Sequence, residues 1–145
     1  MKRMRMHTAA AALAAALAAM TSPAAAQLGE GVAAIVNDTV ISTFDVRQRA
    51  NLLLVSAGIQ STPEMQQRAR TQALRDLVDE HLQMQEAAHF EIEVTAEQID
   101  RRVADIARSN ETTIEGLTEQ LARDGVSVST LRSQIGADIA WQRLM

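Results

Sequence analysis

Cysteine is absent from this 145-residue sequence, and lysine occurs only once, at Lys2. Without cysteine the chain can form no disulfide and has no thiol nucleophile, so its stability must come from packing. A membrane-spanning run is also missing. The apolar run at residues 9–19 has about eleven residues, well short of the roughly 20 that a helix needs to cross a bilayer. The sequence therefore predicts a protein that is not embedded in a membrane.

Catalytic and metal-binding motifs are missing as well. The sequence contains no H-E-x-x-H, no G-x-S-x-G and no glycine-rich phosphate loop before a helix. After the first 26 residues the only histidines are His81 and His89, eight positions apart on one predicted helix, whereas helical metal pairs use a spacing of four. Structural histidines are the better interpretation. We predict no catalytic, cofactor or metal site, and no enzyme activity, for residues 1–145.

The N-terminal segment has the three-part pattern of a secretory signal peptide. A basic start, an apolar run and small residues before a cleavage point follow in order: Lys2, Arg3, Arg5, residues 9–19, Ala24 and Ala26. Cleavage is expected after Ala26, so that the exported chain begins at Gln27 and residues 27–31 form a short tether. An uncleaved anchor or an alanine-rich amphipathic helix is the alternative.

The charge balance of the exported part excludes some partners. Without residues 1–26 the chain has 119 residues, with 11 Arg against 18 Asp and Glu, a net charge of −7. Nucleic acids select basic surfaces, and anionic lipids repel acidic ones. No nucleic-acid partner is therefore expected. The length of 119 residues suits one domain with a modest core.

The predicted fold is mainly α, with about five helices and a small N-terminal β-hairpin. Val32–Val36 is predicted as a strand, residues 37–39 as a turn and Val40–Ile41 as a short return strand. Ser42 and Asp45 form a capping box that begins the first helix, which is expected to stop at Gly58.

Four further helices follow from their caps and apolar spacing. Their predicted starts are Thr62–Pro63 for a helix to about Ala88, Thr95 with Gln98, Thr112 or Thr113, and Ser127. Between the second and third helices, residues 90–94 (FEIEV) alternate apolar and acidic residues, which predicts an extended segment. The chain stops at Met145, inside the fifth helical pattern. We therefore interpret residues 32–145 as one domain that is truncated at its C-terminal end.

Without catalytic motifs, the function is expected to depend on binding through apolar residues. LLLV at residues 52–55 sweeps almost a full helical turn, so it must face more than one neighbour, either another part of the chain or a ligand. Methionine suits adaptable contacts with varied partners. The candidates for a peptide-binding groove are Leu53, Leu54, Val55, Ile59, Met65 and Met84. The alternative is that these residues belong to an ordinary core.

Several of these stretches together resemble a known family. VAAIVNDTVISTFDV (residues 32–46), LRDLVDEHLQMQEA, IEVTAEQIDRRVADIARSN and TIEGLTEQLARDGVSVSTLRSQI follow in that order. They are similar to the N-terminal domain of SurA-type periplasmic chaperones over roughly residues 30–145. The resemblance implies the peptide-binding fold shared with trigger factor. It also implies a periplasmic, ATP-independent chaperone domain that binds unfolded outer-membrane proteins.

Family members also carry parvulin-type prolyl isomerase domains and a C-terminal segment that returns to the N-terminal domain, none of which is present here. Two alternatives stay open: the non-catalytic part of an isomerase, and a dimerisation or docking module. The resemblance further suggests that the hairpin is half of a sheet whose other strand comes from the chain's own C-terminal segment. Without that strand, self-association is expected.

Overall fold

The computed structural model describes residues 30–145, which form a hairpin followed by five helices. The elements are β1 (Val32–Val36), β2 (Thr39–Ser42), α1 (Thr43–Ser56), α2 (Pro63–His89), α3 (Ala96–Ser109), α4 (Ile114–Arg123) and α5 (Val128–Leu144). The prediction of a mainly α fold with five helices and an N-terminal hairpin is confirmed. The predicted signal segment at 1–26 and most of the tether at 27–31 lie outside the described residues.

The hairpin is slightly longer than predicted. β1 and β2 are antiparallel, and Val36 pairs with Thr39, so that the turn has two residues instead of three. Asn37, the first of them, has φ +53°, a left-handed conformation that asparagine tolerates better than most residues. Because Thr39 joins the ladder, the return strand begins one residue earlier than the sequence pattern indicated.

The hairpin is attached to α2 through Gln85. The Gln85 side chain accepts a hydrogen bond from the Asn37 amide and donates one to the Val36 carbonyl oxygen at 3.3 Å. Ile41, on the inner face, is fully buried. The inner face of the hairpin therefore packs on the helices, and its outer face does not.

Local sequence signals begin and end α1 as predicted. The Ser42 Oγ accepts from the Asp45 N–H at 3.1 Å, and the Asp45 carboxylate accepts from the Ser42 N–H at 2.9 Å. At the other end, Gly58 has φ +63°. Its N–H donates to the Val55 carbonyl at 3.1 Å, and the Ile59 N–H donates to the Leu54 carbonyl at 3.0 Å. These two bonds are the Schellman motif, which requires a left-handed residue.

The remaining helix starts also follow their predicted caps, with Thr113, not Thr112, before α4. The segment at 90–94 differs from a regular extended strand. Phe90 and Glu91 form the turn that ends α2, with Glu91 at φ +56°, and residues 92–95 are irregular. β1 and β2 pair only with each other in the described part of the chain, so this segment has no strand to pair with.

The described residues enclose two hydrophobic cores. The first core lies between the hairpin, α1 and α2 and contains Val36, Ile41, Val46, Ala50, Leu54, Ala69, Ala73 and Leu77. The second core lies between α1, α3, α4 and α5 and contains Leu52, Val103, Ala107, Leu117, Leu121, Val126 and Ile135. Helix α1 contributes Leu54 to one and Leu52 to the other. The apolar residues 52–55, predicted to cover more than one side of the helix, therefore pack into two different cores of the same chain.

Candidate binding surface

A cleft of about 280 Å³ opens between the hairpin, α1, α2 and α5. Its apolar lining consists of Val40, Leu77, Met84 and Ala137, and its polar lining consists of Asp45, Arg49, Glu80, His81, Ser129, Thr130 and Ser133. Ligand clefts are typically lined mostly by apolar residues and have volumes of about 300–1,000 Å³; this cleft is slightly smaller, and more of its lining residues are polar than apolar. The cleft can hold a side chain or a short stretch of peptide.

An ion pair between a buried arginine and a partly buried glutamate lines this cleft. Arg49 is 1% exposed, and its guanidinium forms a two-pronged pair with the Glu80 carboxylate, with Nη2 to Oε2 at 2.8 Å. Arg49 lies on the buried side of α1 because it follows Val46 by three positions and precedes Ala50, both of which are core residues. A buried charge of this kind is tolerated only when it is paired. The pair therefore connects α1 to α2 beneath the cleft.

A second carboxyl group lies within the influence of Arg49. Partial burial raises the pKa of Asp138 on α5, while the nearby Arg49 and Arg102 guanidinium groups oppose that rise. The Nε of Arg49 has no hydrogen-bond partner among the described residues. The electrostatic environment of Arg49 therefore includes α5 as well as α2.

The outer face of the hairpin is an exposed apolar surface. Val32, Ile35 and Val40 are 62%, 66% and 53% exposed. Ile35 and Val40 are directly paired across the strands, and an irregularity between Val32 and Ala34 turns Val32 to the same side. We call these three residues the hairpin face. Because Val40 also lines the cleft beside Met84, the hairpin face and the cleft form one continuous surface.

The six residues predicted for the groove lie in different places. Leu54 is in the first core, and Leu53 and Met65 pack against that core. Leu54, Val55 and Ile59 line a separate pocket of about 270 Å³ where α1 ends and α2 begins. Met84 lines the cleft instead, roughly 27 Å along α2 from Gln66 of that pocket at about 1.5 Å per residue. The structure therefore does not assemble all six into one groove, and their role in peptide binding stays a prediction.

The structure also locates the two histidines singled out in the sequence. His81 lines the cleft, and His89 stacks edge-on against Phe90 with ring centroids 5.4 Å apart. Among residues 30–145, no group of three or more histidine, aspartate and glutamate side chains lies close enough to hold a metal ion. No helix in the same range has the length and apolarity required to cross a membrane. The predicted cleavage residues Ala24, Ala26 and Gln27 lie outside the described range.

Sequence reasoning missed two parts of the surface. The hairpin face was not among the candidates, although a two-stranded hairpin can bury only one side against a helix, which leaves alternate residues exposed. Arg49 was also missed. Its spacing from Val46 and Ala50, which places a charge on the apolar side of α1, is the signal that could have found it.

The sequence was compared with those of known proteins, and it matches one family. Residues 30–145 match the family model of the SurA N-terminal domain. The chain is 34% identical over 122 residues to the protein named Chaperone SurA of Photobacterium profundum, 35% over 122 residues to that of Salmonella choleraesuis and 37% over 125 residues to that of Pectobacterium atrosepticum. Each alignment covers 83% of this chain and 28% of the relative. The chain thus spans little more than a quarter of the length of these relatives.

Proposed function

We propose a chaperone function because this chain belongs to the SurA N-terminal domain family. In this proposal the domain binds unfolded outer-membrane proteins in the periplasm, without ATP, and keeps them from aggregating. The predicted signal peptide and the names of the relatives support this assignment. The acidic charge of the chain would help to keep a loaded complex soluble.

The observation that carries the proposal is the hairpin face. Three β-branched residues, each more than half exposed, share one side of a two-stranded sheet. Each strand also has one edge without a neighbouring strand in the described part of the chain. An extended polypeptide can pair with such an edge through its backbone while its apolar side chains contact the face. Backbone pairing does not depend on the client sequence, which suits a chaperone with many clients.

The cleft extends this surface with adaptable contacts. Met84 is unbranched and flexible, so it can pack against side chains of different shapes. Ser129, Thr130 and Ser133 line the opposite wall with hydroxyl groups that can both donate and accept hydrogen bonds. A client segment paired with β2 would therefore place some side chains in a partly apolar, partly hydroxyl-lined cleft.

We do not propose prolyl isomerase activity for the residues that match the N-terminal domain. The match to the N-terminal domain occupies residues 30–145, and we assign no isomerase activity to them. In a longer protein such activity would belong to other segments. Catalysis of a proline-limited refolding reaction by this chain alone would contradict that assignment.

The test measures aggregation of an unfolded outer-membrane β-barrel protein diluted from urea, followed by light scattering. The parent chain is expected to suppress scattering at equimolar amounts. A triple variant, Val32→Thr, Ile35→Thr and Val40→Thr, keeps β-branched residues and hence strand propensity. We expect it to lose most of the suppression while retaining the far-UV circular dichroism of the parent.

A matched control removes exposed apolar surface away from the hairpin, with Leu82→Gln, Phe90→Gln and Ile114→Gln, all at positions more than a third exposed. This variant should suppress aggregation as the parent does. Equal loss in both triple variants would argue against a specific surface. If the hairpin triple variant unfolds, Ile35→Thr alone replaces it, with a partial loss expected.

A docking role is the second candidate, and the same exposed face favours it. The relatives are much longer than this chain, so a C-terminal segment of a longer protein could cover the hairpin face. In the isolated chain a second copy would then take its place. Sedimentation should show concentration-dependent dimers that the hairpin triple variant abolishes. A monomeric parent at all concentrations would contradict self-association.

A further inference from the structure

A second groove, distinct from the cleft, lies between the hairpin, α1 and α2. It has a volume of about 330 Å³ and is lined by Ala33, Thr43, Val46, Arg47, Gln67, Arg70, Thr71 and Leu74. We call it the arginine groove. Ala33, Val46 and Leu74 give it an apolar floor that is continuous with the first core.

The charge of the arginine groove is opposite to that of the chain. Its lining contains two arginines and no acidic residue, whereas the acidic residues of the cleft, Asp45 and Glu80, accompany Arg49. This local excess of positive charge occurs in a chain whose exported part carries a net charge of −7. The lining of the groove is therefore complementary to an anion, in contrast to the net charge of the chain.

Both guanidinium groups are accessible to such an anion. The Arg47 guanidinium lies 5.1 Å from the centre of the Phe44 ring, a cation–π contact that helps to position it. Its one ion pair, with Glu30, is long at 3.8 Å and solvent-exposed on both sides, so it contributes little. Arg70 forms no ion pair with any residue of the described range 30–145.

We propose that the arginine groove binds the C-terminal end of an unfolded polypeptide. The last apolar side chain lies on the floor formed by Ala33, Val46 and Leu74, and the free α-carboxylate lies between Arg47 and Arg70. This inference rests on the proposed chaperone function and adds a defined ligand to it. Charge-assisted hydrogen bonds from guanidinium groups to a carboxylate are among the strongest that proteins form.

The combination of floor and charges favours a chain end over an acidic side chain. In a C-terminal residue the carboxylate and the apolar side chain are attached to the same Cα, so they reach adjacent subsites together. An internal aspartate or glutamate carries no apolar group of its own, and its backbone continues in both directions. A volume near the lower end of the roughly 300–1,000 Å³ found for ligand sites also fits one or two terminal residues.

The test uses three fluorescent peptides and the purified chain, with binding followed by anisotropy. One peptide ends in leucine with a free carboxylate, the second is the same peptide amidated, and the third is amidated but has an internal glutamate. We expect the free carboxylate to bind about tenfold more tightly than either amidated peptide. Raising the salt concentration should reduce that difference, since exposed charges are screened.

Arg47→Gln and Arg70→Gln test the two guanidinium groups. Each should weaken binding of the free-carboxylate peptide several-fold and leave binding of the amidated peptide unchanged. Arg75→Gln is the matched control because Arg75 is exposed on the same helix as Arg70 but does not line the groove. It should bind all three peptides as the parent does.

Three outcomes would overturn the proposal: equal binding of the free and amidated peptides, equal binding of the internal-glutamate peptide, or an equal effect of Arg75→Gln. Each leaves the chaperone proposal intact if the chain still suppresses aggregation. Failure of the chaperone proposal is seen separately, as a parent chain that does not suppress scattering.

Discussion

Two regions of the molecule bury their apolar side chains differently. The first region consists of the hairpin, α1 and α2, and the second consists of α3, α4 and α5. The first region packs three alanines, Ala50, Ala69 and Ala73, into its core and includes the buried Arg49–Glu80 pair. It also presents the exposed hairpin face. The second region fills its core mainly with leucine, valine and isoleucine, and its helices direct most of these side chains inward.

The contrast indicates a division of roles. Small residues let α1 and α2 approach closely, but each alanine buries little area, so less hydrophobic stabilisation comes from this core per residue. The first region nevertheless contains the hairpin face and the arginine groove, and it shares the cleft with α5. The second region supplies the larger aliphatic core, and Leu52 joins that core to α1. Stability and binding are thus expected to respond to different substitutions.

Breaking the buried ion pair is the strongest test of the first region. Glu80→Leu would leave Arg49, which is 1% exposed, without its counter-charge. The expected loss is about 3–5 kcal/mol of unfolding free energy, because an unpaired buried charge is strongly destabilising. Urea unfolding followed by circular dichroism measures this loss.

The double variant Arg49→Met, Glu80→Leu is the control, since replacing both charges by apolar groups is often neutral. Its unfolding free energy should lie within about 1 kcal/mol of the parent. A single variant as stable as the parent would show that Arg49 is not buried as described. A double variant as unstable as the single one would show that packing, not charge, is responsible.

The Arg49–Glu80 pair also shows where prediction from sequence ends. The capping box of Ser42 with Asp45 and the helix end at Gly58 depend on contacts within six residues, so the local sequence determines them, and both were predicted correctly. Arg49 and Glu80 are 31 positions apart, and their contact depends on how α1 crosses α2. The hairpin face has the same origin, since it is defined by what the helices leave uncovered. The predicted groove residues were chosen as apolar positions expected to be exposed, but the sequence pattern does not distinguish Leu54 in a core from Met84 in a cleft.

A cavity in the second core tests whether the two regions unfold together. Leu121→Ala removes a side chain that is 4% exposed, and such truncations cost about 2–5 kcal/mol. Because α1 contributes to both cores, a single cooperative transition at lower urea is expected. Two separate transitions in the circular dichroism signal would show that the regions are independent and would sharpen their contrast.

The matched control for this cavity is Leu82→Ala, which makes the same chemical change at an exposed position on α2. Its unfolding free energy should stay within about 0.5 kcal/mol of the parent, as is usual for surface positions. Suppression of aggregation should persist in folded Leu121→Ala, since Leu121 belongs to the second core and the hairpin packs on the first.

The smallest expected effect concerns Asp138, where the two regions meet electrostatically. Burial raises the pKa of its carboxyl group, against the opposing influence of Arg49 and Arg102. A raised pKa means that the folded state binds the proton more tightly than the unfolded state. The resulting stabilisation is complete below the unfolded pKa, about 3.9 for aspartate, and is lost as the pH rises through the folded pKa.

Asp138→Asn, which stays neutral, should therefore be slightly more stable than the parent at neutral pH, and this gain should shrink as the pH falls towards 4. Urea unfolding at several pH values measures it, with Asp79→Asn on α2 as the control for losing one negative charge. Combining the substitution with Arg49→Met should enlarge the gain, since Arg49 no longer stabilises the ionised carboxylate. A neutral-pH loss of stability in Asp138→Asn would mean that attraction to Arg49 outweighs burial, and that the second region supports the buried charge of the first.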